Sequence, residues 1–205
     1  MFRRIAVAAA AVALLLAGPS VAQASSPHEV DPLTMTPALN PNFTWTCFTA
    51  GAGITCQGTW GRTYANEQMD FECDGRAVYI SGAGREFMTR WHTADGLATK
   101  TIVHQDFPGD HLTLSPVGVG PEVVISGHWN RHYVYATPGD PSTRTLTEVG
   151  NVYTVTDGTR RLFHSSGYLR WMPGDDFNAV DVVHGPHEVE ADYAAFDAAV
   201  CDVIG

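Results

Sequence analysis

From Phe43 to Trp171 the chain is cut at short intervals by turn signals: Asp74-Gly75, Asp95-Gly96, Pro108-Gly109-Asp110, Pro138-Gly139-Asp140 and Asp157-Gly158. Glycine reaches positive φ without steric cost and proline fixes φ near −65°, so such clusters punctuate regular structure. Between them no apolar repeat of helical period survives. The intervals carry β-branched and aromatic residues in alternation, the pattern of strands with one buried face. Strands are expected over 43–49, 54–60, 69–73, 76–82, 85–93, 97–107, 111–115, 122–137, 143–155 and 160–172. Turns this tight join only antiparallel neighbours. The fold class that follows is mainly β, an antiparallel up-and-down β-barrel, with a β-sandwich or jelly roll as the alternative.

The C-terminus reads differently. Tyr193, Phe196, Val200 and Val203 recur at helical spacing with alanines between them, which predicts one α-helix over about 190–203. Glu190 and Asp192 sit near the positive end of its dipole.

The N-terminus reads as an export signal. Met1-Phe2-Arg3-Arg4 is followed by an uncharged apolar run from Ile5 to Ala17 and a small-x-small site at Ala22-Gln23-Ala24. Residues 1–24 are expected to be removed as a Sec signal peptide, leaving a secreted chain with no stable membrane insertion. The run falls short of the roughly 20 residues needed to span a bilayer. Residues 25–41 carry Pro27, Pro32, Pro37 and Pro41 and read as a flexible, proline-rich leader. Residues 42–205 are then a single domain.

Export agrees with the cysteines. Cys47, Cys56, Cys73 and Cys201 are even in number, and an oxidising compartment favours disulfides over zinc. Trp45–Thr49 and Ile54–Gly58 flank Ala50-Gly51-Ala52-Gly53, so a hairpin closed there sets Cys47 opposite Cys56. Disulfide geometry requires Cβ atoms within about 4.5 Å, which that register supplies. Cys73 and Cys201 remain as the second pair, tying early strands to the terminal helix.

Acids outnumber bases 22 to 12, for a net charge of −10, which argues against nucleic acid as a partner. Loss of Arg3 and Arg4 with the signal makes the mature chain more acidic still.

Alternation assigns faces. A three-residue loop Ala94-Asp95-Gly96 would pair Thr93 with Leu97. In that register Phe87, Trp91, Val103 and Phe107 share one face, and Glu86, Arg90, His92, Lys100 and His104 the other, with Glu86 facing His104. Farther on, Trp129, Tyr133 and Tyr135 oppose His128, Asn130 and His132. Phe163, Leu169 and Trp171 oppose His164, Tyr168 and Arg170. Burial of large apolar side chains stabilises by about 2–3 kcal/mol each, whereas burial of charge costs energy. The aromatic face is therefore expected inside. Arg131 alternates with Trp129 and Tyr133 and breaks the pattern. Such an arginine is paired, sits at a mouth, or meets a polar ligand group.

Chemical motifs are sparse. There is no G-x-S-x-G, no phosphate-binding loop and no dinucleotide fingerprint, and no cofactor is expected. All four cysteines are expected in disulfides, so a thiol nucleophile is not. The nine histidines fit a solvated polar face. The run Asp181-Val182-Val183-His184-Gly185-Pro186-His187-Glu188 matches no strong metal signature, and Asp175-Asp176-Phe177-Asn178 lacks the spacing of a calcium loop. No catalytic residues and no metal ligands are assigned.

The signal peptide, the Trp45-Thr46-Cys47 to Cys56 hairpin, the Thr93-Ala94-Asp95-Gly96 turn, His184-Gly185-Pro186-His187 and the late Cys201 together resemble a group of small secreted actinobacterial proteins of unknown function. The resemblance implies no activity.

The expectation is a secreted, non-catalytic protein that binds a small apolar or aromatic molecule through Trp91, Trp129, Arg131, Tyr133 and Trp171. Two alternatives differ in class. One is a metal-dependent or acid–base enzyme on the histidine-rich face. The other is an envelope or partner-binding module with a filled core.

Overall fold

The alternating segments do form strands, and they run through several of the expected breaks. The structure, a computed structural model, describes residues 27–174 and 180–205. The expected signal peptide and Asp175-Asp176-Phe177-Asn178 lie outside the described residues. The strands are β1 (Glu29–Val30), β2 (Thr44–Ala50), β3 (Gly53–Cys73), β4 (Arg76–Thr93), β5 (Ala98–Thr113), β6 (Val123–Tyr135), β7 (Arg144–Thr156), β8 (Arg161–Trp171) and β9 (Val180–His184). Two helices follow, α1 (Glu188–Ala191) and α2 (Tyr193–Ile204). The strands form one antiparallel sheet in chain order from β1 to β9. The mainly-β class and the meander match expectation. Among the described residues the ladder does not return from β9 to β1, so closure into a barrel is absent from the pairing.

Segments 54–60 and 69–73 prove to be halves of β3, 76–82 and 85–93 halves of β4, and 97–107 and 111–115 halves of β5. Register shifts absorb the irregular sequence between the halves, at Tyr64/Glu67 and Gln68/Glu72 in β3 and at Phe107/Asp110 in β5. Pro108 lies within the last of these, where the bulged chain needs no ladder N–H from it.

Cys47 stands opposite Cys56 across β2 and β3 and is bonded to it. Cys73 at the end of β3 is bonded to Cys201 on α2, across a sequence separation of 128. Asp192 caps α2 by accepting from the Ala195 amide. The helix lays Val200 and Ile204 on Cys73, Val78, Leu112, Val123 and Val155, which forms the main core. Among the described residues no helix is long and apolar enough to cross a membrane.

The proline-rich segment read as a leader is folded onto the sheet. β1 pairs with β2, Pro32–Thr34 forms a 3-10 turn capped by Asp31, and Thr36 bridges Leu97. Met35 is 3% exposed and packs with Cys47, Ile54 and Cys56, flanked by Val30, Leu39 and Trp45. The apolar residues of this segment are too irregular to register as a periodic pattern. They bury against the first disulfide all the same.

β4 corrects the assigned faces. The loop is as expected, with the Thr93 amide donating to the Leu97 carbonyl at 2.9 Å. One strand residue later, however, Thr99 is extra: His92 pairs with Ala98 but Trp91 with Lys100. The Thr99 hydroxyl donates to the Trp91 carbonyl at 3.1 Å and holds the bulge. A one-residue slip exchanges the two faces of a strand relative to its partner. Arg90 and His92 therefore lie inside, 6% and 4% exposed, and Glu86 points to the same side. Phe87, 51% exposed, and Trp91 lie on the outer face with Lys100 and His104. β6 and β8 keep their expected phase, with Trp129, Leu169 and Trp171 buried.

Candidate functional site

Strands β4 to β7 present one row after another to the buried face. Across β4, β5, β6 and β7 the rows are Arg90, Thr101, Tyr133 and Leu146, then Met88, Val103, Arg131 and Glu148, then Glu86, Gln105, Trp129 and Gly150. At one end the helices cover the sheet. At the other, residues 37–40 cross it, and Arg90 Nη1 donates to the Ala38 carbonyl at 3.4 Å. Two cavities lie between these covers.

The first holds about 310 Å³ and is lined by Met88, Arg90, Val103, Gln105, Arg131 and Tyr133 of the sheet, with Pro37, Ala38 and Pro141 opposite. The second holds about 280 Å³ and is lined by Phe107, Ile125, Trp129, Val152 and Tyr153, with Asp110 at its edge. Gln105 and Arg131 line both, so the cavities adjoin across that row. Gly127 makes room for the indole of Trp129, and Gly150 for its backbone. A Cβ on Gly127 would lie 2.7 Å from the Trp129 ring, and one on Gly150 2.9 Å from the Trp129 Cα. Phe107 stacks on that ring at a centroid distance of 5.5 Å.

Arg131 meets its partner next door. Its Nε donates to Glu148, which is 2% exposed. Burial alone would lower the pKa of this guanidinium, but the charge and hydrogen bond of Glu148 outweigh it and leave it raised. The Arg131 guanidinium also lies over the Trp129 ring at 5.6 Å, and that of Arg144 over Tyr133 at 4.9 Å. Glu86 accepts from Gln105 Nε2 at 2.7 Å. Gln105 Oε1 and Trp129 Nε1 are buried without a hydrogen-bond partner among the described residues. In the second cavity burial raises the pKa of Asp110, although the Tyr64 hydroxyl donates to it. Burial pushes the Tyr153 phenol up to about 12.

Of the residues singled out from sequence, Trp129, Arg131 and Tyr133 line the cavities. Trp171 does not; it packs beside them with Leu146 and Leu169 against Tyr133. Trp91 is on the opposite face, its ring 5.4 Å from the Lys100 ammonium. Sequence alternation missed Glu86, Arg90 and Gln105, and it left Arg144 unremarked.

The histidine face divides. His104, His128 and His132 are outside as expected, but His92 is buried, its pKa pushed down to about 4 by burial and by the charge of Arg90. Glu86 does not face His104, which contacts Asn130 on the outer side. In the 181–188 run, Asp181 pairs with Arg170, Glu188 accepts from the His164 amide, and His187 Nδ1 lies 3.8 Å from Glu190. Among the described residues no three His, Cys, Asp or Glu side chains converge on a metal position.

Fold and site thus define a disulfide-bonded, antiparallel β-meander with a capped inner face. No protein-family model, curated protein or solved structure matches the chain.

Proposed function

We propose that the chain is a secreted protein that binds a small apolar or aromatic molecule on the inner face of its sheet and carries out no chemistry there. The observation that carries this is the pair of adjoining cavities on Trp129, Arg131 and Tyr133. Buried Gln105 Oε1 and Trp129 Nε1, unpartnered among the described residues, support it, because buried polar groups ordinarily find partners and a ligand supplies them. Rigid aromatic walls with a few fixed polar atoms are what orient a small ligand. Two disulfides and the N-terminal sequence support export. The meander acts as a barrel-like container, in which residues 37–40 and the helices take the place of closing strands.

Titration of the exported chain with the neutral fluorophore N-phenyl-1-naphthylamine tests this. Saturable enhancement at about one site per chain, abolished in Val103→Trp, is expected, since Val103 lines the first cavity. Emission that rises without saturation, or is unchanged by Val103→Trp in a folded variant, overturns it.

A further inference from the structure

Arg90 is a buried charge on the inner face that meets no carboxylate among the described residues. It is 6% exposed, yet its Nε and Nη2 have no hydrogen-bond partner among the described residues. Its single hydrogen bond to a backbone carbonyl, from Nη1 to Ala38, is long at 3.4 Å. The nearby polar groups are the Tyr135 hydroxyl, which hydrogen-bonds the guanidinium but is no carboxylate, and a second cation, Arg144. Two carboxylates share its face, and both are engaged elsewhere: Glu148 with Arg131 and Glu86 with Gln105. A buried guanidinium remains charged, and a buried charge without a counter-ion is destabilising.

The two nitrogens left over have a particular geometry. Nε–H and Nη2–H point in parallel from one edge of the guanidinium plane, the edge that accepts both oxygens of a carboxylate. Nη1, on the other edge, is the one held by Ala38. Arg90, Arg131 and Arg144 all line the first cavity, in a chain whose net charge is −10. Long-range repulsion from the acidic surface is screened beyond about 8 Å at physiological salt, while a buried cation is screened much less.

Resting on the ligand-binding reading above, we infer that the ligand is an organic acid: its carboxylate sits on the Nε/Nη2 edge of Arg90, and its apolar or aromatic body lies along Met88, Val103 and Tyr133. The cavity prefers such an anion to its neutral isostere. Glu86 at the Gln105 end keeps the acid group at the Arg90 end.

The test is displacement of N-phenyl-1-naphthylamine by 1-naphthaleneacetate and by 1-naphthaleneacetamide, which share a body and differ in charge. Wild type is expected to bind the carboxylate about tenfold more tightly than the amide. Arg90→Gln should abolish that preference while still binding the neutral fluorophore, which also reports that the variant is folded. Arg90→Lys keeps the charge without the fork and should retain only part of the preference. Equal displacement by acid and amide in wild type overturns the inference and leaves the cavity reading standing. So does a preference that persists unchanged in both variants. If the neutral fluorophore itself shows no saturable binding, the cavity reading falls, and this inference with it.

Discussion

Replacing Glu148 tests whether the inner face is organised around an ion pair. Glu148 is 2% exposed and accepts from Arg131, whose side chain is 23% exposed. Breaking a buried pair by removing one partner costs about 3–5 kcal/mol, because the remaining charge stays desolvated. Arg131 has some access to water through the cavities, which places Glu148→Leu near the lower end, at about 3 kcal/mol. Glu148→Gln retains an oxygen acceptor but exchanges a charge-assisted bond for a neutral one, so about 2 kcal/mol is expected. For a domain of this size those losses lower Tm by roughly 4–12 °C. Arg131→Met/Glu148→Leu removes both charges at similar volume and should return to within about 1 kcal/mol of wild type. Urea unfolding followed by tryptophan emission, with disulfides intact, measures these three variants and Arg131→Met alone. A Glu148→Leu loss below about 1 kcal/mol, or a double variant as unstable as the sum of its singles, would refute the reasoning.

Three further outcomes follow from the same face and its supports. His92 is neutral in the folded protein, with a pKa near 4 against about 6.5 unfolded. Between those values the unfolded chain binds the extra proton, so stability is lost as pH falls from 6.5 toward 4, by no more than about 3 kcal/mol; His92→Gln should flatten that slope in urea midpoints measured across pH. Removing the Cys73–Cys201 bond, with its separation of 128, should destabilise by about 5 kcal/mol, and removing Cys47–Cys56, separation 9, by about 3 kcal/mol. Double Cys→Ser variants compared by urea unfolding check the order, and equal losses would contradict it. Gly127→Ala places a methyl 2.2 Å from the Val152 carbonyl oxygen and 2.7 Å from the Trp129 ring, so a loss of about 1–3 kcal/mol with altered tryptophan emission is expected.

What was legible in the sequence, and what was not, turns on where the strand phase was read. Cys47 and Cys56 were placed by a hairpin whose turn residues leave little choice of register. β6 was legible because its odd positions, from Val123 to Tyr135, stay on one face without a break. The bulge at Thr99 was not, since Thr99-Lys100-Thr101 contains neither glycine nor proline to mark it. A signal existed elsewhere. β4 is continuous from Arg76 to Thr93, and its even positions Val78, Ile80 and Met88 are apolar. Phase carried forward from Val78 puts Glu86, Arg90 and His92 inside; treating 76–82 and 85–93 as separate strands discarded it. The rule that favoured Phe87 and Trp91 as inner residues also works in one direction only. Buried positions are mostly apolar, but much exposed surface is apolar too. Trp91 makes an outer-face home beneath the Lys100 ammonium, as a large ring can when a cation lies over it. A polar residue on the buried side is the more informative departure, because it persists only where something compensates its desolvation. For Arg131 the compensation is Glu148. For Arg90, nine residues before the bulge at Thr99, it is the acid that the cavity is inferred to bind.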